Sequence, residues 1–146
     1  MVKYKKILKE NRLKITPKRM KIIDYFLKND KYSTPFDVWQ YMKKCFKKIG
    51  LPTVYRNLAD FERIGILTKI EGKENRFYYG ICGKGKEIHH HHIVCVSCHK
   101  VDDFDICEFN RIKEEIERKT GFLIKEHKFF LKGLCKNCKE KGGEYD

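Results

Sequence analysis

No apolar run in this chain approaches membrane-spanning length, and the lysines after Met1 leave no apolar signal core. A cytosolic protein with no membrane partner is therefore expected. There is no nucleotide-binding glycine loop, no nucleophile motif and no evident acid–base pair, so no enzyme class is indicated. Acidic residues are scarce, but only in one half. Residues 1–81 carry 20 Lys and Arg against 8 Asp and Glu, a net of +12, while residues 82–146 carry 13 against 12, a net of +1. A generally lysine-rich chain would not be so asymmetric. A basic domain joined to a near-neutral one suggests a polyanion binder with a separate sensor or staple. A hydrophobic content of 41% with 13% aromatics is globular and speaks against global disorder.

What the near-neutral half does have is ligands. Seven cysteines in a reducing compartment read as thiols and metal ligands before disulfides. Four of them form two Cys-x-x-Cys knuckles, Cys95-Val-Ser-Cys98 and Cys135-Lys-Asn-Cys138, separated by 36 residues. Each knuckle aims two thiolates at one edge of a tetrahedron, and together they make the closed four-sulfur shell of structural zinc. Four histidines, His89 to His92, run almost directly into the first knuckle. On a strand they alternate faces, so one run can serve two sites. Cys45 and Cys107 have no adjacent base and read as filler.

The basic half reads as helices followed by a hairpin. A basic helix over Lys3–Arg12 precedes Thr16-Pro17, an N-cap with proline at the first helical position. Ile22, Ile23, Phe26 and Leu27 give the next apolar stripe. Ser33 and Thr34 open a third helix with Phe36, Trp39, Met42 and Phe46 at helical spacing. In Gly50–Leu58, Pro52 sits near another helix start, and Leu51, Val54, Leu58 and Phe61 share one face. At about 100° per residue Arg56 points almost opposite, with Tyr55 flanking the stripe and Thr53 and Asp60 near Arg56. A short helix showing Thr53, Tyr55 and Arg56 outward can lie in a DNA major groove. A strand over 66–70, a polar turn and a strand over 76–81 complete the order of a winged helix, with Lys69, Lys73 and Arg76 able to reach phosphates.

Residues 82–87 read as a linker. Strands follow over 93–96 and 100–104, then a helix from about Cys107 to Lys119, then a long strand over 122–134. On that strand Leu123, His127, Phe129 and Leu131 share one parity, which turns His127 toward the core side.

Thr16-Pro17-Lys18-Arg19, Leu51-Pro52-Thr53-Val54-Tyr55-Arg56-Asn57-Leu58, the His-rich approach to Cys95-x-x-Cys98, and Cys135-x-x-Cys138 together resemble the ferric uptake regulator family of dimeric, metal-sensing transcriptional repressors. The likeness covers nearly the whole chain, in the family's order and spacing. It implies an α+β protein: a winged-helix DNA-binding domain over 1–81, a hinge over 82–88, and a small α/β dimerisation and metal-binding domain over 89–146. It implies that Cys95, Cys98, Cys135 and Cys138 hold structural zinc, that Tyr55 and Arg56 meet bases, and that Lys14 reaches the minor groove. On the family pattern His90, His92 and Asp103 form a hinge-facing regulatory site, and His89, His91 and His127 form a second site.

Three positions depart from that pattern. Tyr32 replaces a histidine and Tyr78 an acid of the regulatory site, and Asn110 replaces a glutamate of the second. Cys82 offers a replacement at the hinge, as in some zinc-sensing members, and Glu108 one at the second site. Nitrogen and oxygen ligands suit Fe2+ or Mn2+, and an added thiolate moves preference toward Zn2+. Asp103 resembles the peroxide-sensing branch. The expected function is a homodimeric, metal-dependent repressor of metal-uptake or peroxide-stress genes on a palindromic duplex operator. Iron or peroxide ranks ahead of zinc as its signal. The rival from another class, a zinc-stapled RNA-binding or metal-buffering protein, is disfavoured by the helix–helix–helix–wing order.

Overall fold

The computed structural model describes residues 1–29, 31–82 and 89–142. Four helices come first: α1 (Val2–Glu10), α2 (Pro17–Lys28), α3 (Pro35–Cys45) and α4 (Leu51–Arg63). Their starts follow from local chemistry. The Thr16 hydroxyl accepts from the Arg19 amide at 3.2 Å, and Pro17 occupies the first turn of α2. Thr34 and Asp37 form a reciprocal capping box at the start of α3. Strands β1 (Thr68–Glu71) and β2 (Phe77–Gly80) then pair antiparallel. A 3₁₀ turn, Lys73–Asn75, joins them where a plain polar turn was expected. Ser33, between α2 and α3, pairs with Tyr79 through two backbone hydrogen bonds of 2.8 Å and adds a third strand position to this wing.

One hydrophobic cluster closes this half. Leu8, Ile22, Ile23, Val38, Met42, Val54, Leu58 and Phe61 are all fully buried. The apolar face of α4 is therefore committed to the core, which leaves Tyr55 and Arg56 outside.

The second half holds β3 (His91–Cys95), β4 (Val101–Phe104), α5 (Phe109–Thr120), β5 (Phe130–Gly133) and a short α6 (Lys136–Glu140) that the sequence reading did not expect. The sheet order is β4-β3-β5, with β4 antiparallel and β5 parallel to β3. The long strand expected over 122–134 is corrected to Phe130–Gly133. Beyond that segment no ladder partner lies alongside among the described residues, and an extended segment without a ladder is not a strand. The shared parity there is also uncovered, with Leu123 67%, Phe129 41% and Leu131 46% exposed. Apart from Cys82, the expected hinge lies outside the described residues. No described helix is long and apolar enough to cross a membrane.

Candidate metal centres and nucleic-acid interface

The parallel pairing of β3 with β5 explains how two distant knuckles meet. Cys95 pairs with Gly133, so both strands deliver their chains to the same end of the sheet. The first knuckle turns there, and the second starts two residues after Gly133. Cys95, Cys98, Cys135 and Cys138 lie with their sulfurs within 4.8 Å of one another. Sγ of Cys98 and Sγ of Cys135 are 3.7 Å apart. A tetrahedral zinc with Zn–S bonds of about 2.3 Å has edges of about 3.8 Å, so the shell fits zinc with little movement. Burial opposes ionisation of Cys95, but the amides of Cys135, Cys98 and Ser97 outweigh it and bring its thiol down to about 6. Cys95 is thus prepared for thiolate at neutral pH, whereas Cys138, despite the lowering contact of Ser97, is pushed up to about 11 by the neighbouring Cys135, by burial and by Cys98 and Cys95, so the ion itself must displace its proton.

The histidine run divides between two further clusters. Cys82, His90 and His92 bring their donor atoms together on one side, with Cys82 Sγ 3.0 Å from His90 Nε2. Asp103 pairs with His92 across β3 and β4, so its side chain leaves the sheet on the same face. It is not one of the three gathered donors, though its carboxylate favours the charged form of His92. Burial, then the neighbouring His90, nevertheless hold the His92 pKa below its usual value.

On the other side stand His89, His91, His127 and Cys107. Strand register is the cause. Continuing the pairing of His92 with Phe130 back three residues sets His127 beside His89. Continuing β4 beyond Phe104, the partner of His91, carries Cys107 toward the same place. Cys107 Sγ lies 3.2 Å from His127 Nε2. Glu108, offered as a candidate ligand here, has its carboxylate paired with Arg111 at 3.2 Å on the exposed start of α5, and the residue before it, Cys107, is the one gathered with the histidines. Cys107, which has no adjacent base and reads from the sequence as filler, is brought to the histidines only by the fold.

Both clusters contain polar atoms that the protein does not satisfy. His91 is 3% exposed; its Nδ1 accepts from the Phe129 amide at 3.3 Å and its Nε2 has no partner among the described residues. Nε2 of His92 is likewise buried and without a partner among the described residues. Each such atom costs about 1–3 kcal/mol if left alone. Burial, then the nearby His89 and His127, lower the His91 pKa, which keeps it in the neutral, ligating form. The donor sets fit a borderline metal ion at both places.

The two substituted tyrosines have separate roles. The Tyr32 ring packs on Gly80. Burial, then the Cys82 sulfur and Asp103, push its hydroxyl far up, so it stays a neutral phenol beside the hinge cluster. Tyr78 turns away to the first knuckle. Its hydroxyl is 3.1 Å from His99 Nε2, and the two rings stack at 4.8 Å. Lys132 of β5 also meets Glu71 of β1 at 3.7 Å. Wing and sheet are therefore in direct contact.

On the basic half, Arg19 organises the expected DNA surface, a role the sequence reading missed. It donates from Nη1 to the Lys14 carbonyl at 2.8 Å, from Nε to Asn57 Oδ1 at 3.1 Å, and pairs with Asp60 at 3.4 Å. This ties the exposed loop that carries Lys14 to α4. Asp60 accordingly faces α2 and Arg63, not Arg56. Asn57 is buried and returns a hydrogen bond to the Thr53 carbonyl at 3.0 Å. Thr53 is half-buried, while Tyr55 and Arg56 are exposed. Tyr55 shares a cleft with Lys69, Arg76 and Phe77 of the wing. Cationic and aromatic groups on one cleft suit a nucleic-acid backbone.

A winged helix with a basic outer face, joined to a sheet that gathers thiol and imidazole ligands, defines a metal-binding, DNA-binding protein. The sequence profile described as "Ferric uptake regulator family" matches residues 10–132. The chain is 34% identical over 136 residues to the ferric uptake regulation protein of Neisseria gonorrhoeae, covering 92% of each. It is 28% identical over 137 residues to the peroxide-responsive repressor PerR of Staphylococcus epidermidis, covering 92% of this chain and 87% of that one. Its fold resembles a zinc uptake regulator complexed with zinc and DNA, with a TM-score of 0.77 at 22% identity over 97% of this chain and 93% of that one. The chain belongs to the ferric uptake regulator family, and so to the metal-responsive transcriptional repressors; it is a regulator and not an enzyme.

Proposed function

We propose that the chain acts as a cytoplasmic homodimeric repressor of a palindromic operator, with Cys82, His90 and His92 as its regulatory metal site. The observation that carries this reading is the short Cys82–His90 contact, which joins the end of the winged-helix half to the sheet. Ligation of one ion by these residues ties the two halves together, so occupancy sets the angle at which α4 is presented. Asp103 completes the set by rotation of its exposed side chain on the face of His92. A bound ion here supplies a cross-link and no redox step. The thiolate of Cys82 moves the preference from Fe2+ and Mn2+ toward Zn2+.

Cys95, Cys98, Cys135 and Cys138 hold a separate structural zinc. The exposed apolar residues Ile93, Ile112, Ile116, Phe129 and Leu131, together with the open edge of β5, support a second copy as the sheet's partner. In such a dimer Thr53, Tyr55 and Arg56 of each copy meet bases in half-sites about one helical turn apart, and Lys14 enters the minor groove. Metal bound more tightly in the DNA-competent state obliges DNA to raise metal affinity by the same factor.

The test is selection of duplexes from a random pool by the zinc-loaded protein, followed by titration with and without added metal. Arg56→Ala should cost about 1–3 kcal/mol of specific binding and spare nonspecific binding. His90→Ala should keep the fold and lose the metal response. Selection of no duplex, or an unaltered metal response in His90→Ala, would overturn the assignment.

A further inference from the structure

We infer that Cys107 is the fourth ligand of a three-histidine, one-cysteine site with His89, His91 and His127, and that this site takes Zn2+ in preference to Fe2+ or Mn2+. The inference rests on the chain being a metal-binding regulator, but it concerns the face of the sheet opposite the proposed hinge site.

Three observations carry it. First, four donors from three separate parts of the chain lie within 4.8 Å of one another. Zinc bonds of about 2.0–2.1 Å to nitrogen and 2.3 Å to sulfur imply donor–donor edges of about 3.3–3.6 Å. The Cys107–His127 separation of 3.2 Å already sits close to that range, so binding needs only a modest contraction of the other contacts. Second, His91 is buried among these groups with Nε2 unpartnered among the described residues. That ring nitrogen is accounted for when an ion fills the space, the ring proton moving to Nδ1 and the 3.3 Å bond from the Phe129 amide being given up. Third, His127 is held ready: its ring stacks on Phe109 at 4.0 Å, at the start of the helix that Cys107 precedes.

The donor chemistry gives the selectivity. Three neutral imidazoles and one thiolate make a tetrahedral, borderline-soft shell, which suits Zn2+ and disfavours the six-coordinate, oxygen-rich preference of Mn2+ and Fe2+. Binding converts the Cys107 thiol to thiolate, releases its proton to water and involves no electron transfer. The site also has a mechanical consequence. Residues 122–129 form no strand within the chain, so ligation through His127 fixes this segment to β3, while ligation through Cys107 fixes the start of α5. A carboxylate at Glu108 cannot replace this while it pairs with Arg111.

Cobalt reads the ligand directly, because a thiolate bound to Co2+ gives a near-ultraviolet charge-transfer band. Full-length Cys82→Ser protein, with zinc retained at the four cysteines, should still show this band on Co2+ titration. The band should be lost in Cys82→Ser/Cys107→Ser and kept in Cys82→Ser/Glu108→Gln. Competition should show Zn2+ displacing Co2+, and Mn2+ failing to do so. Native Cys107 gives a second measurement that does not depend on the folding of a variant: zinc should protect it from alkylation in the wild-type protein, read by the mass of the peptide that carries it. No band in Cys82→Ser, a band that survives loss of Cys107, or alkylation unaffected by zinc would each overturn the assignment. Duplex binding by Cys107→Ser, measured alongside, separates this failure from failure of the regulator reading: loss of the band with metal-dependent binding intact leaves the regulator reading standing.

Discussion

Helix α4 of the basic half buries Val54, Leu58 and Phe61 completely, whereas helix α5 of the metal-binding half buries no residue at all. Both helices are amphipathic, so the difference lies in what covers them. Four helices and the wing enclose one apolar cluster in residues 1–81. In the described part of 89–146, Val94, Cys95 and His91 are buried side chains, and Val94 shares its cluster with Ile70 and Tyr78 of the wing. One half is held by burial of its own side chains. The other buries little of its own and leans on the neighbouring wing, and on the proposal above it is completed by ligands and a partner copy.

The harshest way to break this contrast is removal of zinc. Structural zinc of this type is worth about 10–16 kcal/mol, nearly all of it folding energy. Cys95→Ser or Cys138→Ser should release the ion, abolish the dimer and unfold residues 89–146, while the helical signal of 1–81 persists. Circular dichroism with analytical ultracentrifugation checks this. A stable, zinc-free dimer would show that the second half has a core of its own.

Matched truncations give the next largest effect. Phe61→Ala removes a ring with no exposed surface and should cost about 3–5 kcal/mol of stability regardless of protein concentration. Leu131→Ala removes a side chain that is 46% exposed in the single chain. It should leave monomer stability nearly unchanged and weaken the dimer. Denaturant unfolding at two concentrations separates the two cases, and equal, concentration-independent losses would erase the distinction.

The same contrast governs what could be read from the sequence. In the basic half, periodicity and caps suffice. Thr16-Pro17, Thr34 with Asp37, and the spacing of Val54, Leu58 and Phe61 are local signals, and burial follows from them. In the other half the decisive facts are non-local. Cys107 joins a cluster through the register of β4, and His127 through that of β5; neither register is visible in a single strand's pattern. The strand expected over 122–134 fails for a related reason, since alternation marks a face to be covered but does not supply the neighbour that covers it. Tyr78 was legible as a lost acid and not as a partner of His99, because that contact crosses from wing to knuckle.

A pH series sharpens the role of the histidines more gently. Burial holds His91 and His92 below their usual value, the neighbouring His89, His127 and His90 add to the effect, and Asp103 opposes it for His92. Their folded pKa values are therefore lower than the unfolded 6.5. Above that value they impose no pH-dependent penalty, and as pH falls below it, protonation favours the unfolded chain. With the histidine sites metal-free and the four-cysteine zinc in place, the melting temperature of residues 89–146 should fall on acidification below about 6.5. His91→Phe should flatten that slope. An unchanged slope would remove His91 as a source of the pH sensitivity.

The smallest expected effect tests whether the two halves are separate at all. Tyr78 is buried, stacks on His99 and holds its hydroxyl 3.1 Å from the ring nitrogen. Tyr78→Phe keeps the stack and deletes one hydrogen bond, which is worth about 1 kcal/mol. Global stability should change by no more than that. The informative quantity is coupling: if this bond relays the state of the four-cysteine knuckle to the wing, Tyr78→Phe should reduce the loss of duplex affinity that follows partial zinc removal. His99→Phe should have the same effect, and the double variant should add nothing further, because both substitutions cut one bond. Additive effects would mean that the contact is packing alone, and that burial in one half and ligation in the other act independently.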